Sequence, residues 1–387
     1  MNNDVPTIDY RLIKTNQELN TCCQHWQSKA FLGMDTEFMR VNTFYPQLAL
    51  IQVNDGDAIY LIDPLGISEW EAFAELMLSP GVVKIFHSCS EDLGVFVRHF
   101  GLLPTPLFDT QIANAFLNEG FGLSYQNLVA AQSGHELPKG ETRSDWLQRP
   151  LTQQQLQYAA LDVEYLPAIY LAQKEQLQEQ GRLSWVEEDC QLLSGNYREE
   201  LAQDFSQAYL GFSAAWQLNG EQLRLLKLLA EWREKRARQR DKPKNWIVQD
   251  KSILEIARYQ PQALQELKAI DSLSVNFIRY EGEAILQLVR QAQDLPPLAN
   301  DLPRPLSNAQ KKLFKKAQAL VRQKAESVGL PVEILGRKRL LLAVFNVWLA
   351  SQSETQQAVD ITSLTLPDEL LGWRKAILLP VFQELFQ

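Results

Sequence analysis

Between residues 31 and 86 the apolar side chains gather in segments of strand length, at 31–34, 48–53, 58–62 and 82–86, separated by punctuation such as Asn54-Asp55-Gly56-Asp57. Runs of that length bounded by turn residues predict buried strands. The Asp55-Gly56 pair between the second and third runs is a hairpin signal, so the early strands are expected to be antiparallel neighbours. The period then changes. Leu93, Phe96, Val97 and Phe100 recur at i, i+3, i+4 and i+7, one apolar stripe on a helix, and Ser88 with Glu91 three residues on predicts a capping box at its start. Thr152 and Gln155 repeat that signature after Pro150, Leu156, Ala160 and Val163 mark a buried stripe, and Pro167 is expected to end or kink this helix. Strands followed by such helices predict an α/β domain over residues 1–200.

Past residue 200 the strand pattern stops and long helical stretches follow, so the remainder is expected to be all-α. Leu225, Leu228, Leu229 and Trp232 form a core stripe, and Arg233, Lys235, Arg236, Arg238 and Arg240 come directly after it, five cations expected to carry one helix into solvent. Four prolines between 294 and 305 favour extended chain and predict a linker. Helical units of similar length, 215–293 and 303–387, flank it and suggest a diverged duplication. The apolar run 340–350 is broken by Asn346 and falls short of the ~18 residues a membrane helix needs, so it reads as a buried helix and no membrane partner is expected.

Charge changes the picture in one respect. The net value of −9 argues against a polyanionic partner, yet its distribution is uneven: residues 1–200 carry 12 basic and 27 acidic side chains, residues 201–302 carry 14 and 13, and residues 303–387 carry 12 and 7. An N-terminal unit rich in carboxylates suits cations, and the later units tolerate phosphates. Cys22, Cys23, Cys89 and Cys190 show no C-x-x-C spacing, so neither a zinc site nor a disulfide framework is expected. Met1-Asn2-Asn3-Asp4 opens without an export leader, and a cytoplasmic protein is expected.

Three groups of residues carry candidate chemistry. Asp35 and Glu37 lie two apart at the end of the first strand run, where both carboxylates project to one face and a divalent cation would relieve their repulsion. Asp92 sits in the first turn of the helix after the fourth run. Tyr158 and Asp162 are one turn apart on the capped helix. Each alone has an ordinary reading: an exposed strand end, a first-turn acid, a surface hydrogen bond.

Order and context add to that. The run Asp35-Thr-Glu37-Phe-Met-Arg, the stretch Thr43-Phe-Tyr-Pro-Gln-Leu-Ala-Leu-Ile-Gln52, then His87-Ser-Cys-Ser-Glu-Asp92-Leu and Tyr158-Ala-Ala-Leu-Asp162 resemble the three exonuclease motifs of the ribonuclease D family, DEDD-type 3′-5′ exonucleases of the tyrosine subgroup. Residues 225–289 resemble the HRDC domain of the same family, and 303–387 match that pattern poorly. The resemblance implies a ribonuclease-H-like exonuclease domain with a mixed sheet over 1–200, an HRDC domain over 215–293 and a second, diverged HRDC-like domain over 303–387. It implies that Asp35, Glu37, Asp92 and Asp162 hold two divalent metals, Mg²⁺ or Mn²⁺, with Asp92 acting through water, and that Tyr158 orients the attacking water. The substrate it implies is RNA, with transfer RNA precursors trimmed from the 3′ end, and separately from the resemblance a monomer is expected. Phe38 is a candidate wedge against the terminal base, His87 a candidate nucleotide contact, and Arg143 to Trp146 a candidate frame for the cleft. An acidic two-metal site would serve DNA equally, and an adaptor that only binds RNA is the alternative from another class. The complete carboxylate set argues against the adaptor, because concentrated negative charge opposes phosphate binding. No P-loop or dinucleotide-binding glycine pattern occurs, so an ATP-driven enzyme is not expected.

Overall fold

The computed structural model describes residues 8–137, 144–355 and 360–386. Six strands, β1 (Arg11–Ile13), β2 (Phe31–Met39), β3 (Gln47–Asn54), β4 (Ile59–Ile62), β5 (Val83–Phe86) and β6 (Leu107–Asp109), form one sheet in the order β1-β4-β3-β2-β5-β6. β2, β3 and β4 are antiparallel, as the hairpin signal predicts, whereas β1 on β4, and β5 on β2 and β6, run parallel. The sheet is therefore mixed. The three-residue strands β1 and β6 have no counterpart in the hydrophobic pattern, because runs that short carry too little periodicity to register. β2 extends well past its apolar run, so Asp35 and Glu37 lie inside the strand and not at its end.

Helices α1 (Asn16–Trp26), α2 (Glu71–Leu78), α3 (Ser90–Phe100), α4 (Thr110–Phe116), α5 (Tyr125–Ser133), α6 (Gln153–Glu164), α7 (Leu166–Glu179) and α8 (Leu183–Gly195) accompany the sheet. Side chains alternate across β2, so its Gly33–Asp35–Glu37 side meets α6 and α7 and its Thr36 side meets α3. Gly33 is a close-approach glycine: a Cβ there would stand 3.0 Å from Leu166 Cβ.

Two expectations about helix ends meet different outcomes. The Thr152/Gln155 capping box forms as predicted, and the helix breaks at Tyr165 with Pro167 in the first turn of α7. The Ser88/Glu91 box does not form. Ser88 has φ 60°, outside the extended geometry a cap needs, and the α3 N-cap is Cys89 with no side-chain bond. Asp109 of β6 holds the turn that precedes α3: its carboxylate accepts the Ser88 and Cys89 N–H groups at 3.0 and 2.9 Å while also capping α4.

Beyond residue 197 the described residues hold helices and turns. The chain divides into two compact units, one of residues 1–39, 46–197 and 307–387, the other of residues 40–45 and 198–306. The second contains α9 (Arg198–Ala202), α10 (Gly220–Arg240), α11 (Lys244–Ile247), α12 (Asp250–Tyr259), α13 (Leu264–Lys268) and α14 (Val275–Gln293) around a core that includes Leu225, Leu226, Leu229, Ile253, Ile256 and Ile285. The proline-rich segment is extended but not free. The Leu298 N–H donates to Gly220 O at 3.0 Å, Asn300 Nδ2 donates to Leu218 O at 2.6 Å, and a Cβ on Gly220 would strike Leu298 O at 2.5 Å.

The five-cation run of α10 departs from its expected solvation. Arg233 is buried and bonds Asp250 at 2.6 Å, Arg236 and Arg240 share Glu281 at 2.9 and 2.6 Å, and Lys235 pairs with Glu231. Arg238 lies between Glu200 (2.5 Å) and Glu234 (2.6 Å) and over the rings of Phe44 and Phe205. The run is long enough to cross the helical core, so acids from other helices reach it.

The described residues of 307–387 include α15 (Asn308–Val328), α16 (Val332–Gly336), α17 (Lys338–Thr355) and α18 (Trp373–Phe386), within the first unit. Arg374 bonds Asp189 of α8 through both terminal nitrogens at 2.6 and 2.5 Å, Trp373 Nε1 donates to the same carboxylate at 3.0 Å, and Arg182 Nη2 donates to Val328 O at 2.7 Å. Leu340, Leu341, Val344 and Phe345 of the expected buried helix are buried, and no helix of the described residues is long and apolar enough to cross a membrane. All four cysteines are free, as their spacing predicts.

Candidate active site

β2 and α6 carry the carboxylates. Asp35 and Glu37 are on the β2 face that α6 covers, and the β2–β3 register shifts between Glu37 and Phe38, where the strand leaves regular pairing. Ala159 and Ala160, both fully buried, are small enough for α6 to lie close on the sheet. Asp162 then meets the β2 pair: Asp35, Glu37 and Asp162 each offer an oxygen, and these lie within 4.8 Å of one another. Asp92 stands outside that set. It is buried in the first turn of α3 and accepts a 2.5 Å hydrogen bond from Thr36 Oγ1, reaching the cluster from the other side of β2.

Like charges held this closely resist ionisation. Burial, then Asp92, Asp162 and Glu37 in turn, push the Asp35 carboxyl well above the usual carboxylate range. Burial and the fields of Asp162 and Asp92 hold Glu37 up to about 9. Asp92 and Asp162 are raised by burial, opposed by the hydrogen bonds from Thr36 and Tyr158 respectively. Among the described residues no lysine or arginine forms an ion pair with any of the four. Half-buried oxygens of one sign, gathered without a counter-charge, fit a hard divalent cation, the ligand class that carboxylate-only donor sets favour. A neutral resting role fits less well, since a structural cluster would pair its acids with basic groups, as the helical unit does.

Tyr158 donates its hydroxyl to Asp162 one turn on, and burial with the surrounding acids raises its pKa, so the phenol stays protonated at neutral pH. Trp146 is buried against Tyr158 with ring centroids 6.2 Å apart and sets where that phenol stands. Arg143 lies outside the described residues. Phe38 is half-buried, next to Glu37 at the register shift. His87 has both ring nitrogens engaged, Nδ1 with Thr110 Oγ1 at 2.9 Å and Nε2 with Leu123 O at 3.0 Å, which leaves only its ring face for a ligand.

Several supporting residues carry no signal in the motifs themselves. Thr36 sits unremarked inside Asp-x-Glu, although strand alternation puts it on the opposite face, toward Asp92. The end of α6, just after Asp162, has carbonyls that Pro167 leaves without helical donors. Asn54 Nδ2 donates to Val163 O and Glu164 O at 3.0 and 3.1 Å, and the Tyr125 hydroxyl donates to Leu161 O and accepts the Tyr165 N–H. These bonds join residues 36 to 110 positions apart in sequence, a separation no local pattern signals.

Residues 10–178 match a 3′-5′ exonuclease family and residues 222–289 match the HRDC domain. The chain is 39% identical to ribonuclease D of Pseudomonas paraeruginosa over 96% of both proteins. It is 36% identical to ribonuclease D of Escherichia coli over 98% of this chain and 99% of that one. The crystal structure of Escherichia coli RNase D, described as an exoribonuclease involved in structured RNA processing, superposes with a TM-score of 0.85 at 36% identity, covering 98% and 99% of the two chains. With the exonuclease match over the carboxylate-bearing unit and the HRDC match over the helical one, the chain belongs to the ribonuclease D family and is a 3′-5′ exoribonuclease.

Proposed function

We propose that Asp35, Glu37, Asp92 and Asp162 hold two divalent cations, Mg²⁺ or Mn²⁺, and that the chain trims RNA one nucleotide at a time from a free 3′ end, with transfer RNA precursors as substrate. The observation that carries this reading is the meeting of three carboxylates within 4.8 Å, with no basic side chain paired to them among the described residues. Asp35, Glu37 and Asp162 are the direct ligands, and Asp92, held off by Thr36, acts through water. Bound there, the cations supply water activation and charge neutralisation at the leaving 3′-oxygen. Tyr158 orients the attacking water by its hydroxyl and does not take its proton, since its pKa is raised. Trp146 acts through Tyr158. Phe38 packs on the terminal base, where stacking is indifferent to sequence, and His87 offers its ring face. Residues 303–387 are read as a second, diverged HRDC-like domain. The enzyme is read as a cytoplasmic monomer, which suits four free cysteines.

The test is hydrolysis of labelled single-stranded RNA and DNA, and of one tRNA precursor, with Mg²⁺, Mn²⁺ or chelator. Stepwise shortening from the 3′ end of RNA, abolished by chelator, is the expected result. Activity that survives chelation, or efficient cutting of circular RNA, overturns the reading, and equal rates on DNA overturn its RNA preference.

A further inference from the structure

Gln52 has an unusual place in the fold. It is fully buried in β3, between Ile51 and Val53 and after Leu48, Ala49 and Leu50, all buried and apolar. Among the described residues, neither its Oε1 nor its Nε2 has a hydrogen-bond partner. A buried amide without partners costs stability, and an apolar side chain of the same length would avoid the cost. Positions that break a packing rule without local compensation are where function is expected.

The register shows what the amide faces. Gln52 is the antiparallel cross-strand partner of Asp35, so the two side chains leave the sheet on the same face. Two residues on, Asn54 projects to that face too and bonds the last carbonyls of α6, the helix that carries Asp162. Gln52 therefore lies in the layer between sheet and α6, beside the carboxylate cluster.

We propose that Gln52 is a positioning residue for Asp35: its Nε2–H donates to the Asp35 carboxylate when that carboxylate binds a divalent cation, fixing which oxygen faces the ion. An amide suits this place because it is neutral. A lysine or arginine would neutralise the cluster and compete with the cation, whereas an amide orients the carboxylate and leaves the charge for the metal. Partners of this kind are worth about 10–100-fold in metal affinity. The proposal rests on the reading of Asp35 as a cation ligand.

The experiment compares the full-length protein with Gln52→Met, Gln52→Asn and Asp35→Asn. Mn²⁺ binding is measured by calorimetry, thermal unfolding with and without Mn²⁺, and kcat and KM on a labelled single strand. Gln52→Met should melt higher than wild type without Mn²⁺ and bind Mn²⁺ about 10–100-fold more weakly. Its Mn²⁺-induced rise in Tm should be smaller, and kcat should fall with KM unchanged. Gln52→Asn, which keeps a shorter amide, should recover part of the Mn²⁺ affinity. Wild-type Mn²⁺ affinity in Gln52→Met, while Asp35→Asn has lost binding, would overturn the role of Gln52 and leave the cation site standing. Binding unchanged in Asp35→Asn would overturn the site reading, and this proposal with it. Failure of both Gln52 variants to fold would show that the amide serves the core, which also overturns the proposal.

Discussion

In the exonuclease unit Asp35, Glu37 and Asp162 crowd within 4.8 Å with no basic partner among the described residues, whereas in the helical unit each arginine of the run 233–240 has a carboxylate between 2.5 and 2.9 Å away. On the proposed reading, the acids stay without basic partners because their position serves a divalent cation. The arginines are paired because they are partly buried, and a buried charge without a partner is expensive. A cluster of charge in a sequence thus says little about function until its partners are counted. The basic run expected to carry a helix into solvent is largely consumed inside its own unit. α15 presents a different surface: Lys311, Lys312, Lys315 and Lys316 are exposed and form no ion pair among the described residues.

The sharpest way to break this contrast is to remove one charge from each cluster. Asp35→Asn should lower the hydrolysis rate at least about 1,000-fold, or about 4 kcal/mol of transition-state stabilisation. In metal-free buffer its Tm should equal or exceed that of wild type, because a repulsive charge has gone. Measured turnover near wild type, with chelated controls inactive, would sink the ligand assignment.

Arg238→Met should do the opposite. It strands Glu200 and Glu234 and should cost about 3–5 kcal/mol of stability in the helical unit, the range for breaking a buried pair. Initial rates per folded molecule at saturating RNA should not change. Denaturant melts read the first quantity, and a variant as stable as wild type would show that the pairs are surface ornaments.

A smaller effect tests the site itself. Tyr158→Phe keeps the ring against Trp146 and loses only the hydroxyl, so kcat should drop about 10–100-fold, or about 1.4–2.7 kcal/mol, with KM little changed. Unchanged kcat would mean that Tyr158 merely packs.

The smallest effect separates free from consumed cations. Replacing Lys311, Lys312, Lys315 and Lys316 by Gln should weaken RNA binding several-fold at low salt. It should also flatten the slope of log affinity against log salt, by about 0.7 for each phosphate that a lysine no longer neutralises. Arg236→Gln, whose guanidinium is already committed to Glu281, should leave that slope alone. Equal slopes in the lysine variant and wild type would remove α15 from the RNA-binding surface.

Hydrophobic period is enough to find β2 to β5, the hairpin between β3 and β4, the α3 stripe, the Thr152 cap, the break at Pro167 and the switch to helices near residue 200, because each depends on residues within a few positions of one another. The spacing of Asp35 with Glu37, and of Tyr158 with Asp162, is legible for the same reason: strand and helix periods put each pair on one face. Other features depend on chain brought together from far apart. Ser88 cannot cap α3 once its φ is set at 60°, and the turn before the helix is held instead by Asp109 from the edge of the sheet. The arginines after Trp232 read as solvated because their acids, Glu200 and Glu281, lie 38 and 45 positions from Arg238 and Arg236. Whether a charge is neutralised, and whether a buried amide such as Gln52 finds a partner, is decided by distances between elements, and local sequence periodicity carries no record of those distances.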